Sequence, residues 1–262
     1  MASAFRHWFE DFLRPLTGRR VEWPQLLRQM IYEEFQRARI EEGPYEGPDV
    51  FIDRDNTAWG YADRPDQHRE DLAVYRLYRQ VHEHNDGALG IGDDRVWIVC
   101  CKVPNQENFG TRCADLVGLR PDGSIVVFEC KVGSNRSDSP LYGLLEGMDY
   151  LCHLLIDQNF GRFTEGLDQW RLQHGEEGVR SHTPDGFENV VPVSNKRHGV
   201  IVLAPRDYYE VHRLDAQGIE QDWHLLSDRV WPDANRFVDI DFWEHEFLPD
   251  GEPSFTAKPL LL

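Results

Sequence analysis

Glu129 and Lys131 lie inside Ser124-Ile125-Val126-Val127-Phe128-Glu129-Cys130-Lys131-Val132, an otherwise β-branched and aromatic run that reads as a buried strand. Both of its faces are apolar, Ile125 and Val127 on one and Val126, Phe128 and Cys130 on the other. Such a strand belongs to a sheet covered on both sides. Charged residues are almost never fully buried unless they are paired or bound to a metal, so the fold must bring compensating groups to this strand. Asp115 stands fourteen residues before Glu129, in a second apolar run, with the turn signal Arg120-Pro121-Asp122-Gly123-Ser124 between them. Pro121 presets φ for a type I turn, and Gly123 accepts the left-handed conformation that closes a three-residue hairpin with a bulge. That loop places Asp115 directly opposite Glu129, whereas a loop one residue shorter or longer would put them on opposite faces. Side chains alternate along a strand, so Glu129 and Lys131 share the face of Ile125 and Val127. Directly opposed Cβ atoms are roughly 4.5 to 5.5 Å apart. Two carboxylates that close repel, and a divalent cation between them is the usual remedy. Lys131, one pleat further on the same face, is within reach of whatever that cation binds.

Asp115 followed across a hairpin by Glu129-x-Lys131 resembles the core of the PD-(D/E)XK nuclease superfamily, over roughly residues 66 to 205. Members of that superfamily have two acidic metal ligands and a lysine on adjacent strands, usually with a glutamate on a preceding helix. Here Ala114 stands before the aspartate where the family pattern has proline. The resemblance implies an α/β, restriction-endonuclease-like fold, a central mixed β-sheet flanked by helices on both faces. It implies Mg²⁺ or Mn²⁺ held by Asp115 and Glu129, with the backbone carbonyl of Cys130 completing the protein's share. Lys131 would orient or help deprotonate a metal-bound water and contact the phosphate. Glu70 would hold a second cation or a metal-bound water. The implied reaction is phosphodiester hydrolysis of nucleic acid, DNA being the expected substrate.

Two other readings fit the same residues. One is a catalytically inactive nuclease-fold scaffold that binds a partner. The other is an unrelated acidic α/β protein whose Asp115, Glu129 and Lys131 form a cross-strand salt bridge, worth under about 1 kcal/mol if exposed.

Helical periodicity places helices over residues 4–16 and 24–41, and these define an N-terminal helical segment, residues 1–45. Residues 46–262 read as a single α/β domain. Asp66 is a good N-cap for a helix running to about His84, on which Glu70 falls on the stripe of Val74, Leu77 and Val81. A carboxylate on that stripe points at the sheet, although acids are favoured in the first turn of any helix by its dipole. Glu33 or Glu34 is the alternative source of a helical carboxylate. Strands are expected over 95–103, 111–119 and 124–132, a helix capped by Ser139 with Leu144 and Met148 on its apolar face, and a strand over 199–204. Residues 158–197 read as a polar insertion and 237–243 as a half-exposed strand. His82 and His84 form an H-x-H pair that would face different directions on a helix, a poor metal site.

The net charge of −18 weighs against a partner rich in phosphate. It is unevenly spread. From Arg95 to Arg136 there are six basic and four acidic residues, an excess of +2 that leaves −20 for the remainder. Five cysteines, an odd count without a C-x-x-C pair, indicate reduced thiols and a cytoplasmic protein. No stretch is apolar and long enough to span a membrane, and the charged N-terminal helix is no signal peptide. Its aromatic face, Phe5, Trp8, Phe9 and Phe12, suits packing on the domain or on a second subunit, so a homodimer is a candidate assembly.

Overall fold

The computed structural model of the chain describes residues 69–84, 86–90, 94–104, 113–133, 135, 140–155, 157–175, 183–212, 238–246 and 256–259. The expected helices over 4–16 and 24–41, Glu33, Glu34 and Asp66 lie outside the described residues.

The elements run α1 (Arg69–His84), β1 (Ala88–Leu89), β2 (Val96–Pro104), β3 (Cys113–Leu119), β4 (Ile125–Cys130), α2 (Pro140–Leu154), α3 (Asp157–Gly175), β5 (His198–Pro205), α4 (Arg206–His212), β6 (Val238–Glu246) and β7 (Thr256–Pro259). The seven strands form one mixed sheet in the order β1-β2-β3-β4-β5-β6-β7. β1 to β4 pair antiparallel, β4, β5 and β6 run parallel, and β7 returns antiparallel on β6. The protein is thus an α/β protein built on a mixed sheet.

Alternation along the strands divides the core in two. Val126, Phe128 and Cys130 of β4 join Val74, Leu77 and Val81 of α1 on one face. Ile125 and Val127 join Leu144, Met148 and Leu151 of α2 and Phe163 and Leu167 of α3 on the other. The run that carries Glu129 is therefore apolar on both sides because helices cover both.

The 120–124 turn forms as its residues require. The Arg120 N–H donates to Ser124 O and the Gly123 N–H to Arg120 O, and Gly123 has φ +83°. A methyl at Gly123 would collide with Val191 O, so both conformation and space call for glycine. The Ser124 N–H donates to Asp122 Oδ1 at 2.9 Å. Burial would raise the Asp122 pKa, but the hydrogen bonds from Ser124 outweigh it and lower it.

His198 clasps the far end of this hairpin. The Ile125 N–H donates to its Nδ1 at 3.1 Å, so the ring proton sits on Nε2 and is donated to Ser194 O, 3.1 Å away. His198→Ala strands the buried Ile125 N–H and is expected to cost about 1–3 kcal/mol in equilibrium denaturation. A loss under about 0.5 kcal/mol would mean that water or a neighbour replaces the imidazole.

Two segments differ from the sequence expectation. Residues 158–197 are not a solvated excursion throughout, because α3 spans Asp157–Gly175 and buries Phe163 and Leu167 in the core. β6 is an interior strand between β5 and β7, and Val238, Phe242, Trp243, Glu244 and His245 are all buried. Its alternation with Asp239 and Asp241 persists only at its start, where those two are half-buried. The His82 Nε2 lies 3.0 Å from Ile98 O and its ring packs on Tyr78.

Candidate active site

β3 and β4 pair in register, with Leu119 opposite Ile125, Val117 opposite Val127 and Leu116 opposite Phe128. One step further, the same register sets Asp115 across from Glu129. Asp115, Glu129 and Lys131 are 4%, 5% and 4% exposed. The three charged residues are therefore buried side by side at the edge of the sheet where the parallel strands end, the edge at which open α/β sheets hold ligands.

At this edge the backbone ladder gives way to side chains. The Cys130 N–H donates to Asp115 Oδ2 at 2.7 Å, so a carboxylate holds the two strands together beyond the Leu116–Phe128 pair. On the other side the Lys131 N–H donates to Leu203 O of β5. Lys131 is held at the backbone, and its side chain projects from a fixed base.

Three carboxylates converge on the ammonium. Lys131 Nζ lies 2.8 Å from Glu129 Oε1, 3.1 Å from Glu146 Oε2 and 3.7 Å from Glu70 Oε1. Glu70 comes from the first turn of α1, where its stripe places it above Val74, Leu77 and Val81. The sequence reading and the structure agree on this position. Glu33 and Glu34 lie outside the described residues. Glu146, on α2, is a site residue that sequence reasoning missed. Its signal was Gly143 and Gly147, four residues apart on one side of that helix. A methyl at Gly147 would stand 2.5 Å from Val200 Cγ1, and one at Gly143 3.3 Å from Lys131 Cε. The two glycines let α2 lie close on β4 and β5, which brings Glu146 to Lys131.

The electrostatics follow from crowding and burial. Burial raises the Glu129 carboxyl well above the usual carboxylate range, and the Asp115 charge adds to it, more than Lys131 relieves. Burial alone would lower the Lys131 pKa, but Glu129, Glu146, Glu70 and Asp115 outweigh it and hold the ammonium well above its ordinary value. Lys131 is therefore a firm cation at neutral pH, and Glu129 is the strained member of the group. Glu129 Oε2 is buried without a hydrogen-bond partner.

Cys100 is buried and not in a disulfide, and burial first, then the neighbouring Cys101, pushes its thiol well up. Such a thiol is a small hydrophobe, not a nucleophile. Among the described residues no group of three or more His, Cys, Asp and Glu side chains is disposed to hold a metal ion. Lys131 stands among the carboxylates instead.

Fold and site together define an α/β protein with a buried carboxylate–lysine cluster at the carboxyl edge of its mixed sheet. Beyond that class, the chain matches no protein-family model, no curated protein and no solved structure. No helix among the described residues is long and apolar enough to cross a membrane.

Proposed function

We propose that the protein is a metal-dependent phosphodiesterase of the PD-(D/E)XK type, with a restriction-endonuclease-like sheet, that hydrolyses nucleic acid and DNA in particular. The observation that carries this reading is the crowding of the cluster. Asp115, Glu129, Glu146 and Glu70 all act on the buried Lys131 ammonium. A structural salt bridge calls for one partner, not four. Crowded hard oxygen donors and a partnerless Glu129 Oε2 suit Mg²⁺ or Mn²⁺.

In this reading Asp115 and Glu129 hold the ion, with the Cys130 carbonyl beside them. When bound, a divalent cation lowers the pKa of a coordinated water and offsets charge on the phosphate. The protein's own groups do the rest. Asp115, fixed by the Cys130 N–H, presents its carboxylate in one orientation. Lys131 offers its N–H donors to a phosphate oxygen or to the attacking water. Glu146 and Glu70 keep the ammonium charged and aimed, and Glu70, 35% exposed, meets solvent and substrate first. The +2 excess between Arg95 and Arg136 is a local exception within a chain that otherwise repels phosphate.

One observation favours the rival reading, a nuclease-like scaffold without activity: Lys131 already serves as the cation of the cluster. Incubation with linear and supercoiled DNA in Mg²⁺ or Mn²⁺ separates the two. Cleavage that EDTA and Asp115→Ala both abolish is the expected result. Cleavage that survives EDTA overturns metal dependence, and no cleavage of any DNA or RNA leaves the scaffold.

A further inference from the structure

A cavity of ≈ 150 Å³ opens between α1 and the ends of β4, β5 and β6, lined chiefly by Ala73, Val74, Leu77, Val132, Pro205 and His245. Glu70 and Lys131 form its boundary with the carboxylate cluster, so it is continuous with the candidate site. We propose that this cavity receives a nucleobase, that of the nucleotide next to the phosphate at Lys131.

Size sets the first limit. The volume is that of about five waters in the liquid and well under that of a drug-sized pocket, so it admits one ring system and no more. Shape and polarity set the second. The α1 wall (Ala73, Val74, Leu77) and the strand wall (Val132, Pro205) are apolar, which suits the two faces of a flat ring. Charge sets the third. Lys131 is already surrounded by carboxylates and Glu70 sits on the boundary, so without a metal ion an anion inside the cavity is disfavoured and an uncharged heterocycle is not. His245 supplies the polar contact. It is 4% exposed, and burial lowers its pKa to about 4 against the opposing pull of Asp207. The imidazole is therefore neutral at pH 7, so a ring nitrogen can exchange one hydrogen bond with a base edge.

The identity of the occupant rests on the nuclease reading, but its test does not. The full-length protein is titrated, without metal, with the four 2′-deoxynucleosides and with deoxyribose, and binding is followed by saturation-transfer NMR. Saturable nucleoside binding is expected in the wild type, with none for deoxyribose. It should weaken at least tenfold in Ala73→Leu, which fills the cavity from a half-buried position on α1. Arg76→Ala, at an exposed position on the same helix and outside the cavity, is the control and should bind like wild type. Equal binding by wild type and Ala73→Leu, or no nucleoside binding at all, overturns the pocket and leaves the metal-dependent cleavage assay untouched. Failure of that assay alongside Ala73-dependent nucleoside binding overturns the nuclease and retains the nucleoside site.

Discussion

Lys131→Met is expected to abolish phosphodiester cleavage and to cost the folded protein about 3–5 kcal/mol, the usual loss when one partner of a buried ion pair is removed. In the structure Nζ lies within 3.7 Å of three carboxylates. Protonation is the escape left to the variant. The Glu129 pKa is already raised, so the folded state binds a proton there more readily than the unfolded chain. That contribution favours folding below the ordinary carboxylate value and declines as pH rises through the folded one. Removing Lys131 strengthens the effect, so the deficit of Lys131→Met should narrow as pH falls from 7 to 5. The Lys131 pKa is also raised, so the stability it confers is fully present below its ordinary value of 10.5 and is lost as pH rises through the folded value. Adding Glu129→Gln to Lys131→Met should recover part of the loss. Denaturant midpoints across pH read both effects, and a Lys131→Met protein as stable as wild type at pH 7 would show that the cluster is not buried as described.

Acidification should expose a second large effect, at His245. Its pKa is lowered to about 4, through burial, while Asp207 pulls the other way. The unfolded chain takes up this proton near pH 6.5 and the folded protein only near 4, so the unfolded state binds more protons between those values. Stability is complete above pH 6.5 and is lost as pH falls through 4, by about 3 kcal/mol from this residue. His245→Phe keeps a ring of similar size without the titration. The difference in unfolding free energy between wild type and His245→Phe should therefore change by about that amount between pH 7 and pH 4. Parallel pH profiles would mean that the imidazole is solvated or paired when protonated.

The hairpin was legible because its determinants are local. Pro121, Asp122 and Gly123 choose the loop, the loop chooses the register, and the register sets Asp115 against Glu129. The α1 stripe was legible for a similar reason, since helical spacing alone puts Glu70 in line with Val74 and Leu77. Glu146 was not. An acid amid Leu144, Leu145 and Met148 reads as the solvent side of an ordinary amphipathic helix, and only close packing of Gly143 and Gly147 on the sheet turns it inward. β6 was misjudged on the same ground. Its alternating acids suggest a strand with one face in water, but β5 and β7 flank it and bury its second half, a non-local outcome that periodicity does not carry. The polar composition of α3 likewise hid Phe163 and Leu167, two core residues four apart on that helix.

The central claim is that the crowded carboxylates hold a divalent cation. Calorimetric titration of Mn²⁺ into the metal-free protein, in parallel with Asp115→Ala, tests it most directly. Saturable binding in the wild type that disappears in Asp115→Ala is the expected result. Absence of binding in both proteins, or equal binding in both, would contradict it and leave the cluster a structural feature of a scaffold.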